Sequence, residues 1–217
     1  MRLYSYFRSS ASFRVRIALK LKGLDYETVP VHLVRGGGEQ HSAAYRALNP
    51  AGLVPALEDD GNVLTQSLAI IEYLDEAYPL PALLPVDAVE RAKVRALAQS
   101  IACEIHPLNN LRVLNYLTKT LGVSDEQKTA WYQHWVESGL ECVEKMLAGS
   151  GPASKTSRYC HGDTPGLADV VLVPQIFNAQ RFNCRLEHVP TVMRIHEACM
   201  RLPAFADAAP SHQPDAE

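Results

Sequence analysis

The sequence predicts a chain of two domains, an α/β domain over residues 1–80 and an all-α domain over 86–217. Three observations carry that reading. The first 80 residues alternate short apolar or β-branched runs with helical patterns. Beyond residue 85 the apolar residues recur at steps of three and four. Between the two patterns, Tyr78-Pro79-Leu80-Pro81 through Pro85 breaks all regularity and reads as a linker.

In chain order, Leu3 to Phe7 predicts a strand. Ser12 to Lys22 predicts a helix, with Val15, Ala18, Leu19 and Leu21 on or near one face, Ser12 as a candidate cap and Gly23 as terminator. Arg14 and Arg16 on that helix read as scaffold. Tyr26 to Leu33 predicts a second strand, and Gly36 to Gly38 a flexible loop. Ser42 to Leu48 predicts a short helix ended by Asn49-Pro50. Val54 to Leu57 and Val63 to Thr65 flank Asp59-Asp60-Gly61-Asn62, a hairpin turn signal. Ser67 then stands as the N-cap of a helix from Leu68 to Tyr78. The order β-α-β-α-β-β-α is that of a thioredoxin-like domain.

The second half predicts helices only. One apolar stripe runs from Val94 to Leu121 within residues 88–122, with a kink expected at Pro107. Ser124 to Gln127 is a capping box that opens a helix to about Leu147. A small, polar loop follows over residues 149–157. Helices are expected over 166–180 and 191–201, with Asp169 as a capping residue of the former, where Gly166 occupies the cap position. Residues 211–217 are polar and expected to be loosely held.

Composition narrows the function. The chain has 217 residues, 47% of them hydrophobic, a formal net charge of −3 and a pI near 6.2. That balance offers no basic face for nucleic acid. No apolar run approaches the roughly 20 residues of a membrane span. The first residues lack the apolar core of a signal peptide, so a cytoplasmic location is expected. The five cysteines, Cys103, Cys142, Cys160, Cys184 and Cys199, are odd in number and widely spaced. They read as buried free thiols rather than a disulfide framework or a metal site. None precedes Cys103, so thiol chemistry in the first domain must come with a ligand.

The stretch "YSYFRSSASFRVRIALKLK" (4–22) resembles the opening of zeta-class glutathione transferases, whose signature there is S-S-C-x-x-R-V-R-I-A-L. "ALNPAGLVPAL" (47–57), "QSLAIIEYLDE" (66–76), "PALLP" (81–85), "HPLNNLRVL" (106–114), "GDTPGLADVVLVPQ" (162–175), "AQRF" (179–182) and "QPD" (213–215) extend the resemblance over essentially the whole chain. The departure is Ala11, which stands where the family usually has cysteine. Ala11 has no chemical role left, although its backbone is expected to line the site.

The resemblance implies a cytosolic glutathione transferase fold, glutathione as cofactor, a homodimer and no metal. It implies a residue set as well. Val54, before Pro55 in a cis bond, would pair its backbone with the cysteinyl part of glutathione, as an added strand does. Gln66 and Ser67, at a helix start, would hold the γ-glutamyl carboxylate. Gln40 would meet the glycyl end. His106, Asn110 and Arg112 match positions that line the same cleft from the helical domain. A glutathione thiol titrates near roughly 8.5 when free. Ser9 and Ser10, at the start of the first helix, would supply hydroxyls and positive potential that favour the thiolate, with Ser9 the main donor.

The implied activity is cis–trans isomerisation of maleylacetoacetate to fumarylacetoacetate, in tyrosine and phenylalanine catabolism. A thiolate adds to the conjugated double bond, the bond rotates, and the thiolate leaves. The substrate is a small dicarboxylic keto acid, which calls for guanidinium groups. Arg8, Arg112 and Arg181 are the candidates, Arg8 being beside the thiol position. Three other readings stay open: maleylpyruvate isomerisation, conjugation of small haloacids, and a binding module without turnover.

Overall fold

The computed structural model describes residues 1–149 and 155–217. The loop expected over 149–157 therefore lies mostly outside the described residues. The chain divides into two compact units, Met1–Leu83 with Arg201–Glu217, and Leu84–Met200.

The first unit is built on four strands, β1 (Arg2–Ser5), β2 (Glu27–Pro30), β3 (Ala56–Asp59) and β4 (Asn62–Thr65), with helices α1 (Ser10–Leu21), α2 (Ala43–Leu48) and α3 (Ser67–Ala77). The sheet order is β2-β1-β3-β4, with β2 parallel to β1 and the other pairs antiparallel. Alternation along β1 decides which helix each residue meets. Ser5 accepts from Arg16 of α1 at 3.1 Å, whereas the Tyr4 ring lies 6.0 Å from that of Tyr45 on α2.

β1 ends two residues earlier than expected. Tyr6 and Phe7 are buried, but in a turn, where their rings pack edge-on at 4.8 Å. Aromatic residues favour strands only in so far as a pleated surface packs them, and here the cluster with Val31, Tyr45 and Val54 does so instead. α1 starts at Ser10 and is capped by Ser9, whose Oγ accepts from the Ser12 N–H at 3.2 Å. Ser12 is thus the residue capped, not the cap.

α1 is buried on nearly every side, from Phe13 to Leu19. Arg14 and Arg16 are 2% and 0% exposed, a burial that arginine tolerates only when paired. Arg16 reaches the Ala208 carbonyl at 2.9 Å, Ser5 Oγ at 3.1 Å and the Phe7 carbonyl at 3.0 Å. Lys22 Nζ is held by Asp75, the Tyr78 carbonyl and the Pro81 carbonyl at 2.7–2.9 Å. It fixes the end of α1 to the stretch that follows α3.

Residues 211–217 are not loosely held, and the whole stretch 201–217 groups with the first unit. A short helix, Pro203–Ala206, packs on α1. Asp215 accepts the Phe7 N–H at 3.0 Å, and Glu217 pairs with Arg35 and with His32. The polar character of this segment is used internally, which composition alone does not show. Gly36 and Gly37 lie in a short 3-10 turn, Arg35–Gly37, which Gly38 joins to a second, Glu39–His41.

The second unit holds α4 (Ala88–Gln99), α5 (His106–Asn109), α6 (Leu111–Lys119), α7 (Asp125–Ala148), α8 (Leu167–Arg181) and α9 (Pro190–Met200). The expected single kinked helix over 88–122 is interrupted twice. A π-helical segment, Ser100–Ile105, precedes Pro107, and the helix breaks again at Asn110. Proline offers no N–H to the preceding turn, and the wider turn upstream of it accommodates that loss. The π segment packs against Gly139 of α7: a Cβ there would lie 2.4 Å from Ile105 Cγ1.

The Ser124–Gln127 capping box is present in both directions, at 3.2 and 2.9 Å. α8 is the core helix, buried from Leu167 to Ile176. Asp169 caps its start by accepting the Gly166 N–H and also accepts the Cys160 N–H, both at 2.9 Å. Burial raises the Asp169 carboxyl, and these N–H donors offset that in part. Glu144 of α7 caps the first turn of α9 through Thr191 and Val192.

Cys160, Cys184 and Cys199 are buried, but Cys103 and Cys142 are exposed, against the expectation for all five. Burial pushes the three inner thiols up, Cys184 to about 11, so they stay protonated at neutral pH. Among the described residues, no helix is long and apolar enough to cross a membrane.

Candidate glutathione site

Strand register brings the expected binding segments of the first unit to one end of the sheet. Tyr4 of β1 pairs with Val29 of β2 and Ala56 of β3, and Ala56 pairs with Thr65 of β4. These four residues form one row across the sheet. From that row β1 continues into Arg8, Ser9 and Ser10, and β2 into the loop that carries Gln40. β3 is entered there from Val54-Pro55, and β4 leaves into Gln66 and Ser67. Adjacent strands are about 4.8 Å apart, so the row spans roughly 14 Å. An extended tripeptide reaches roughly 10 Å.

Each position presents a group in a defined state. Ser9 is half-buried at the N-cap of α1, and its Oγ already accepts from the Ser12 N–H. Its O–H is then left to donate outward, to an anion. Ser10 is buried and Ala11 half-buried in the first turn of α1. That turn holds no acidic residue, so the positive end of the helix is not neutralised from within. Arg8 lies in the turn between β1 and α1, its guanidinium carbon 4.7 Å from the centre of the Phe7 ring.

The Val54–Pro55 peptide is cis. None of the described residues exchanges a backbone hydrogen bond with the N–H or C=O of Val54. Gln40 is buried, with Nε2 donating to the Leu33 carbonyl at 3.3 Å while Oε1 has no hydrogen-bond partner. A buried amide oxygen without a donor costs about 1–3 kcal/mol, and a ligand N–H would remove that cost.

Gln66 has φ 70° and ψ 116°, outside the regions favoured by residues with a side chain. Such a residue stores on the order of 1–3 kcal/mol of strain, and it turns the chain sharply into α3. Ser67 is the first residue of α3 rather than its cap, because Gln66 occupies the cap position and makes no side-chain bond there. Ser67 is buried, and its Oγ accepts from Arg14 Nη1 at 3.3 Å. The first turn of α3 also lacks an acid.

The unpaired Val54 backbone, the orphaned Gln40 oxygen and a Ser9 hydroxyl whose oxygen already accepts match a short peptide with carboxylates and a thiol. Glutathione fits that donor and acceptor set. The sequence offered Arg14 only as scaffold, although a charged residue among Phe13, Val15 and Ile17 was a signal that it has a buried partner.

The other expected residues lie in the second unit. His106 opens α5, half-buried, directly after the π segment. Asn110 caps α6: Oδ1 accepts the Val113 N–H at 3.1 Å, and Nδ2 donates to the Pro107 carbonyl at 2.9 Å. Arg112 is exposed on α6. Arg181 ends α8, its guanidinium carbon 5.2 Å from the centre of the Phe182 ring.

The family model "Glutathione S-transferase, N-terminal domain" matches residues 3–82. A probable maleylacetoacetate isomerase of Vibrio cholerae is 52% identical over 99% of this chain and 97% of its own length. A solved bacterial maleylpyruvate isomerase, described as a zeta-class glutathione S-transferase in its holo form, superposes with a TM-score of 0.95 at 48% identity, covering all of both chains. A maleylacetoacetate isomerase from Methylobacterium extorquens AM1, solved with malonate and glutathione bound, gives 0.94 at 40% identity, again over all of both chains. The chain belongs to the zeta class of glutathione S-transferases, the family of the maleylacetoacetate and maleylpyruvate isomerases.

Proposed function

We propose that this chain is a glutathione-dependent cis–trans isomerase that converts maleylacetoacetate to fumarylacetoacetate. The observation that carries the reading is the row Val29, Tyr4, Ala56, Thr65, which sends Gln40, Ser9, Val54 and Ser67 from one end of one sheet.

Bound glutathione supplies a thiolate that adds reversibly to the conjugated double bond and so allows it to rotate. The chain's own residues set up that chemistry. Ser9 donates its O–H toward the sulfur, and the N-terminal dipole of α1 adds positive potential. Ser10 is the neighbouring hydroxyl of the same turn. Ala11 lines the site by its backbone and brings no thiol, so the only sulfur in play is the cofactor's. Val54 pairs its backbone with the cysteinyl unit, Gln40 Oε1 takes an N–H at the glycyl end, and Gln66 and Ser67 hold the γ-glutamyl end. Arg8, beside the thiol position, holds a substrate carboxylate and stabilises negative charge on the ketone oxygen. His106, Asn110, Arg112 and Arg181 are assigned on the family resemblance alone, with Arg112 and Arg181 as further carboxylate ligands. The resemblance also supports a cytoplasmic location and a homodimer, the latter of which light scattering tests directly.

The deciding experiment follows maleylacetoacetate absorbance with and without glutathione, beside maleylpyruvate. The reading requires glutathione-dependent isomerisation, with kcat/KM higher for maleylacetoacetate. No turnover with glutathione bound would favour a binding module. A higher kcat/KM for maleylpyruvate would reassign the substrate, and conjugation of haloacids alone would reassign the reaction.

A further inference from the structure

Arg14 is a charged side chain of the first unit that is almost wholly buried and also touches a residue of the proposed glutathione site. It is 2% exposed, and its Nη1 donates to Ser67 Oγ at 3.3 Å. A guanidinium has donors and no acceptor. Ser67 must therefore accept in this bond, and its hydroxyl hydrogen is directed away from Arg14. Ser67 is also the first residue of α3, whose initial turn carries no acid.

We infer that Arg14 is a positioning residue for the γ-glutamyl α-carboxylate of glutathione and acts through Ser67. It fixes Ser67 as a donor toward the ligand. It also places a buried positive charge behind that donor, where water screens it little. A carboxylate accepts only, so a hydroxyl turned the other way would present the wrong polarity. The inference rests on the glutathione reading above and adds to it the residue that sets the polarity of one subsite.

The test is calorimetric binding of two tripeptides, glutathione and γ-aminobutyryl-cysteinyl-glycine, which differs only in lacking that α-carboxylate. Wild-type protein must bind glutathione more tightly than the analogue; binding neither overturns the glutathione reading itself and this inference with it. R14Q is expected to weaken glutathione about tenfold, the loss of one charge-assisted interaction, and to leave the analogue within about twofold. Equal weakening of both ligands means a merely structural role and overturns the inference, as does unchanged discrimination between them. Should R14Q not fold, R14K and S67A carry the test. R14K alone is expected to weaken glutathione by about threefold, because an ammonium lacks the planar fork, and to cost nothing further on S67A. Additive losses in that cycle overturn the inference.

Discussion

Arg16 donates from Nη2 to the carbonyl oxygen of Phe7 at 3.0 Å, and the other face of the same residue is held where Asp215 accepts the Phe7 N–H at 3.0 Å. The turn that delivers Arg8 and Ser9 is therefore clamped from two sides by groups far apart in sequence. Burial lowers the Arg16 guanidinium to about 10, which still leaves it charged at neutral pH. R16M strands several buried acceptors at about 1–3 kcal/mol each, so a loss of roughly 3 kcal/mol or more is expected in urea unfolding. R16K is expected to recover only part, since one ammonium cannot reproduce the fork. Full stability in R16M would contradict this account of the turn.

Gly139 and Ile105 form a second exclusive pair, since a Cβ on Gly139 would meet Ile105 Cγ1 at 2.4 Å and Cδ1 at 2.5 Å. G139A is expected to cost about 1–3 kcal/mol by overpacking. On an I105A background both clashing atoms are gone, and the same change becomes neutral or stabilising by up to about 1 kcal/mol, the helical preference for alanine. A thermal-denaturation cycle reads the coupling; additive effects would show that the π segment does not depend on the glycine.

Asp169 is buried at the start of α8 and accepts two backbone N–H groups. D169A leaves both without a partner and removes the cap, a cost of about 2–4 kcal/mol. The expected outcome is a lowered urea midpoint, with the affinity of the folded fraction for glutathione within about twofold of wild type. Loss of glutathione binding at unchanged stability would give Asp169 a functional part that its position does not.

Glu137 binds Arg185 through Nε and the backbone N–H, both at 2.9 Å, and its carboxyl is lowered mainly by the hydrogen bonds of the Arg185 side chain. A carboxyl lowered by folding stabilises fully above its unfolded value and loses that contribution as pH falls through the folded one. Arg185 is largely exposed, so water screens the pair and its contribution is small. The melting-temperature gap between wild type and E137Q is expected to hold from pH 8 to 5 and to close below about pH 4.5. A gap that persists at pH 3 would mean the pair contributes through packing rather than charge.

Much of the fold could be read from the chain because its signals are local. The Asp59–Asn62 turn, the Ser124–Gln127 box and Asp169 three residues after Gly166 each specify a structure within four residues. The failures share one physical cause, which is that the deciding partner lies far away in sequence. Tyr6 and Phe7 read as strand because nothing nearby reveals Arg16 and Asp215. The polar residues 211–217 read as loose because their partners are Phe7, His32 and Arg35. Pro107 announced a break, but the π segment upstream packs through Ile105 against Gly139, more than thirty residues on. For the proposed site, residues 9, 40, 54, 66 and 67 were expected from the family resemblance. The contact by which Arg14 makes Ser67 an acceptor was not, since those two residues meet only in three dimensions.

In the proposed site the hydroxyl of Ser9, at the start of α1, keeps a borrowed sulfur ionised. An ultraviolet titration of the thiolate of bound glutathione, in wild type and S9A, tests it most directly. The account predicts a thiol pKa in the wild-type complex at least about one unit below the free value of roughly 8.5, returning most of the way to it in S9A. A bound thiol that titrates like the free one, or an equally depressed value in S9A and in the S9A/S10A double variant, would contradict it.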